Sequence, residues 1–375
     1  IIDGVEMEFV YVLDTEAPVE IMVWLPQLKA FCTAEDMTHN MHNLQTLRGA
    51  KVRNGLLWSK AIDTAIERYG DQVEVSFSTH HWPTWGNERI VDYWEAQRDM
   101  YRYLHDQTLH LANRGLTPDE IAEEMKLPAS LASQFNCRGY YGTLSHNVKA
   151  QYDLYFGWFN GNPAHLNPLP PSELGSKYVE AIGGADKVLE VAKASYAKGE
   201  YRWVATLLDN LVFAEPENKE ARRLLADTYT QLGYQAESGP WRNFYLTGAR
   251  DLFKKDVPYT SQLINDGVLA QMDMGTLLDY CAIQLNGEKA AGKEAVININ
   301  FTDTKEKVML MLNNGVLNHR LDSQDEKADL TLEIEKMDFI KLFFGRTDLQ
   351  TLLKTNRRIL ISKLYCRKWE QHIVF

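Results

Sequence analysis

Two carboxylates and several imidazoles stand where the chain breaks between predicted elements. Glu16 lies in Asp14-Thr15-Glu16-Ala17-Pro18, and Glu35 in Thr33-Ala34-Glu35-Asp36-Met37. Four of the ten histidines, His39, His42, His80 and His81, fall between positions 39 and 81. Carboxylate oxygen and imidazole nitrogen are the usual ligands of zinc and similar borderline cations. On residue type and spacing alone, the same groups fit a metal centre or surface carboxylates beside buried, hydrogen-bonded imidazoles.

The elements that must position these groups are legible from periodicity. Residues 5–13 alternate and are aromatic-rich, as a half-buried strand should be, and 20–24, 28–33 and 73–77 read as further strands. Residues 58–69 have helical spacing between them, so the region reads as an α/β layer. Each of Glu16, Glu35 and His80 follows a strand, where such folds place ligands. Residues 90–111 form a long amphipathic run, and Thr117-Pro118-Asp119-Glu120 is a helix start with Thr as N-cap. Residues 160–171 are a turn-rich linker, and 197–234 read like one tetratricopeptide unit with Pro216 at its turn. From 296 the period changes to strands at 296–301, 307–312, 316–320 and 328–334, with Asn313-Asn314-Gly315 as a hairpin turn. A helix over 337–344 follows, and 354–375 is basic and irregular.

The composition narrows the class. The net charge of -11 argues against a general nucleic-acid binder, which needs a basic surface, but one local Arg can still bind a small anion. No apolar run approaches the roughly 20 residues that cross a bilayer. Cys32, Cys137, Cys281 and Cys366 are scattered, without a CxxC pair, and leave the compartment open.

Longer strings carry a resemblance. These are Thr15-Glu16-Ala17-Pro18; Ala34-Glu35-Asp36-Met37-Thr38-His39-Asn40-Met41-His42-Asn43 with Leu47-Arg48-Gly49-Ala50; His80-His81-Trp82-Pro83-Thr84-Trp85-Gly86-Asn87; and Arg138-Gly139-Tyr140-Tyr141-Gly142 with Ser145-His146-Asn147. In type and order they resemble the alkyl sulfatases of the metallo-β-lactamase superfamily, over most of residues 1–250. The resemblance implies a site of two zinc ions, with Glu16, Glu35 and His80 among the metal ligands. It implies Asn43 and Arg48 as sulfate-binding groups and His42 as the general acid. His39 and His81 would buttress the site, and His146, Tyr140 and Tyr141 could line it.

The expected fold is mixed α+β. Residues 1–90 would be the C-terminal part of a metallo-β-lactamase αββα catalytic domain. Residues 91–250 would be an α-helical dimerisation and cap domain, and 255–375 a sterol-carrier-protein-like α+β domain. The implied activity is zinc-dependent hydrolysis of alkyl sulfate esters, by a homodimer, in the periplasm or outside the cell. The family's His-x-His-x-Asp-His motif occurs nowhere in the chain. This chain would therefore supply part of the site and need an N-terminal part carrying the other ligands. The alternatives are a non-catalytic lipid-binding protein with a decayed hydrolase remnant, and a metallohydrolase of another ester.

Overall fold

The structure, a computed structural model, describes residues 1–254, 265–348 and 350–352 and the backbone of 360–362. The basic segment at 354–375 lies outside the described residues apart from that short backbone, as does Cys366. The chain folds as two units, Ile1–Val257 and Pro258–Phe375.

The first unit opens with a five-stranded sheet. Its strands are β1 (Glu8–Leu13), β2 (Val19–Leu25), β3 (Ala30–Cys32), β4 (Val75–Phe77) and β5 (Thr84–Trp85), side by side in that order. Helix α1 (Gly55–Tyr69) crosses from β3 to β4, which pair in parallel, while the other neighbours are antiparallel. It begins three residues before the expected start, because the Asn54 side chain accepts from the Leu56 and Leu57 N–H groups and caps it. β5, which alternation did not predict, forms where Trp85 and Thr84 pair with Val75 and Ser76.

Alternation along these strands sorts the side chains onto two faces. Val10, Val12, Met22, Trp24, Phe31 and Ser76 point inward and are buried. They meet α1 and α2 (Asn87–Ala112) in one core that continues through Trp58 and Trp94 to Tyr152 of a later helix. The outward face is also apolar. Phe9 pairs with Val23, Tyr11 with Ile21 and Leu13 with Val19, and the row continues through Cys32 and Phe77. Phe9, Tyr11, Leu13, Val19, Ile21 and Trp85 are all exposed on it. A sheet apolar on both faces is the pattern of a layer covered on both sides.

Beyond α2 come α3 (Pro118–Glu124), α4 (Ala129–Ala132) and α5 (Leu144–Phe156). The predicted capping box at Thr117 and Glu120 starts α3. Then follow α6 (Pro171–Ile182), α7 (Ala185–Ala197), α8 (Tyr201–Ala214), α9 (Lys219–Gln235) and α10 (Gly239–Asp251). The tetratricopeptide-like stretch is the hairpin of α8 and α9, with Pro216 between them, and Leu207, Leu208, Leu211, Ala221 and Leu225 share its core.

The second unit carries α11 (Asp266–Gln271), α12 (Met274–Ile283) and α13 (Gly287–Ala290), then strands β6 (Ala295–Phe301), β7 (Lys307–Asn313), β8 (Val316–Leu321) and β9 (Leu330–Ile334). α14 (Lys336–Phe343) and β10 (Leu360–Ser362) follow, and the sheet order is β10-β9-β6-β7-β8. Asn314 (φ 53°) and Gly315 (φ 75°) form the two-residue turn between β7 and β8. Both are left-handed, as a tight hairpin with twisted strands requires.

Candidate metal centre

Topology brings the predicted ligands to one end of the first sheet. β1, β3 and β4 run in the same direction, so the turns that leave them emerge together. These turns carry Glu16, Glu35 and His80. Each also holds a non-glycine residue in the left-handed region: Asp14 (φ 52°), Ala34 (φ 48°) and His81 (φ 68°). Such backbone persists where surrounding contacts over-determine it. Here Asp14 O accepts from the Asn54 N–H (3.1 Å) and Ala34 O from the Thr79 N–H (3.0 Å).

One oxygen each of Glu16 and Glu35 and a ring nitrogen of His42 lie within 4.8 Å of one another. His80 Nε2 is 2.7 Å from Glu35 Oε1, and His42 Nε2 is 3.8 Å from Glu35 Oε2. Burial pushes the Glu16 carboxyl up to about 7, against the Arg53 charge and with Glu35 adding to the rise. Glu35 moves the other way. Burial would raise it, but hydrogen bonds from Glu16 and His80 outweigh burial and hold it low. Burial thus favours a proton on Glu16 near neutral pH while Glu35 stays ionised.

His42 is held in an irregular segment by contacts from two helices and the loop before the second. Its N–H donates to the Tyr101 hydroxyl (3.1 Å), and its carbonyl accepts from Asn147 Nδ2 (2.9 Å). The Tyr141 ring meets its ring edge-on at 4.6 Å. Gly142 passes so close that a Cβ there would lie 2.5 Å from the His42 carbonyl oxygen. Burial, with the Arg53 charge adding, pushes the His42 pKa down to about 4, so the ring is neutral at neutral pH.

Not every expected residue joins this cluster. Asn43 does: it is buried beside His42. Arg48 is exposed in the turn at 47–49, outside the contacts that link Glu16, Glu35, His42 and Asn43. The buried guanidinium there belongs to Arg53, which the sequence reading passed over. It donates to the Asn43 carbonyl (2.8 Å), to Asn43 Oδ1 (2.6 Å) and to the Glu16 carboxylate. His39 stacks on Trp82 at 5.1 Å, and Asn40 Nδ2 lies 3.2 Å from His81 Nε2, so both rings serve the loops around the cluster. His146 lies 2.7 Å from the Gln45 carbonyl oxygen and accepts from Trp241 Nε1 (2.9 Å). Tyr140 is exposed.

Comparison with known proteins decides the family. Residues 117–255 match the family described as alkyl sulfatase dimerisation, and residues 262–359 the one described as alkyl sulfatase C-terminal. A linear primary-alkylsulfatase of Pseudomonas sp. (strain ATCC 19151) is 32% identical over 359 residues, which are 93% of this chain and 67% of that protein.

The chain belongs to the alkyl sulfatase family.

Other alkyl sulfatases match more closely in sequence. A linear primary-alkylsulfatase from Pseudomonas sp. is 48% identical over 93% of this chain and 52% of its own length. The alkyl/aryl-sulfatase BDS1 of Saccharomyces cerevisiae is 44% identical over 94% of this chain and 54% of its own. The chain therefore spans about half the length of these two relatives. The solved structure of the stereoselective inverting sec-alkylsulfatase Pisa1 from Pseudomonas sp. superposes with a TM-score of 0.90 at 42% identity, covering 97% of this chain and 57% of that one. The mixed α+β fold is thus that of a solved alkylsulfatase.

Proposed function

We propose that the protein hydrolyses sulfate esters of alkyl alcohols with zinc held partly by this chain. The observation that carries the reading is the convergence of Glu16, Glu35, His42 and His80 at one sheet end in a member of this family. The donor set fits zinc, since a divalent cation would take the place of the proton that burial favours on Glu16 and hold both carboxylates ionised. Glu16, Glu35 and His80 would hold the metal, and a site of two ions needs further ligands from another segment. The family's αββα fold offers that segment, because its second sheet would lie on the bare apolar face of the first.

Zinc held there supplies a Lewis acid that lowers the pKa of water and offsets the charge of the ester. Asn43, its oxygen turned to Arg53, presents N–H groups to a sulfate oxygen. Arg48 contributes only if its turn folds over the cluster. His42 starts as a neutral ring, so its role as proton donor to the leaving alcohol oxygen requires the bound anion to raise its pKa. Residues 117–255 would make a homodimer, and the second unit, sterol-carrier-like in pattern, would hold apolar chains.

Sulfate release from dodecyl sulfate tests this reading. The full-length protein should release sulfate, lose the activity to a chelator and regain it with zinc. Binding of lipid with no sulfate release and no metal would favour the non-catalytic alternative.

A further inference from the structure

We infer that Arg53 is the positioning residue of this centre, the group that aims Glu16 and Asn43; the inference rests on the metal reading above. Arg53 comes just before Asn54, the cap of α1, and its own N–H donates to the Leu44 carbonyl (2.8 Å). Its backbone is thereby fixed at both sides, and its side chain is only 8% exposed.

The guanidinium spends its donors on two separate segments. On one side it donates to the Glu16 carbonyl through Nε and to Glu16 Oε1 through a terminal nitrogen. On the other it donates to the Asn43 carbonyl (2.8 Å) and Asn43 Oδ1 (2.6 Å), and the same nitrogen lies 3.2 Å from His42 Nδ1. Holding Glu16 at Oε1 and at its backbone carbonyl sets the direction of its carboxylate toward Glu35 and His42. Occupying Asn43 Oδ1 fixes which end of that amide faces away from Arg53, and it is the donor end.

Only a planar fork reaches these acceptors together. Lys would supply the charge at one point and leave acceptors on one segment without a donor. Arg48, exposed in its turn, has none of this geometry.

The test uses full-length protein with zinc affinity measured by chelator competition, alongside the circular dichroism spectrum. A group that orients a metal ligand is worth about 10- to 100-fold in metal affinity. Arg53→Met should weaken zinc binding by that order, and Arg53→Lys by less, while Arg48→Met leaves zinc affinity as it was. Should Arg53→Met fail to fold, Arg53→Lys carries the test, since it keeps the charge without the fork. A folded Arg53→Met, or failing that Arg53→Lys, with wild-type zinc affinity would overturn the inference while leaving the metal reading in place. Wild-type protein that binds no zinc would overturn the metal reading, and the inference with it.

Discussion

Asp36 stands directly beside a proposed metal ligand yet is fully buried. Burial, opposed by a Thr15 hydrogen bond and aided by the charges of Glu20 and Glu16, pushes its pKa from the ordinary 3.8 up to about 8. The folded chain therefore holds a proton that the unfolded chain releases above about pH 4. The stability this contributes is fully present below the unfolded value and is lost as pH rises through about 8. Asp36→Asn, which keeps the shape without the proton, should flatten the decline in urea stability between about pH 4 and 8. An unchanged decline would show that Asp36 is ionised in the fold. Nothing in the local sequence distinguishes Asp36 from Glu35 next to it. Only the tertiary path of the Asp36 carbonyl, which accepts from Trp58 Nε1 (2.7 Å), turns one carboxyl inward and leaves the other at the cluster.

At the scale of elements, the α9–α10 hairpin reaches the segment that carries His42. Gly239 N–H donates to the Tyr140 carbonyl (2.8 Å), Ser238 Oγ to the Tyr141 carbonyl (3.0 Å), and Trp241 Nε1 to His146, whose other nitrogen meets Gln45. Trp241→Phe removes one of these donors and should cost about 1 kcal/mol in unfolding. Because the hairpin holds the loops against His42, it should also lower turnover of dodecyl sulfate. Trp203→Phe, on the exposed face of α8, is the control, and equal turnover in the two would show that the hairpin does not reach the chemistry. Elements whose signal is local were legible in the sequence: the capped start of α3, the Asn314-Gly315 turn and the alternation of β1 and β2. β5 was not, because two residues carry no period and pair only after β4 is in place. Arg53 was not, because its partners lie 10 and 37 positions away and no motif marks it. Arg48, by contrast, sits inside a recognisable string.

For the molecule as a whole, the exposed apolar face of the first sheet and the proposed ligands of this chain point the same way. Phe9, Tyr11, Leu13, Val19 and Ile21 together would leave a large apolar area in water, which a stable protein covers with another layer. Glu16, Glu35 and His80 sit at the end of that same sheet, where ligands from the covering layer could complete the centre. If this chain's carboxylates hold zinc, the zinc content of the full-length protein depends on them. Compared with wild type, Glu35→Ala should lose bound zinc after dialysis while keeping its circular dichroism spectrum. A folded Glu35→Ala protein that retains the wild-type amount of zinc would mean that this carboxylate holds no metal.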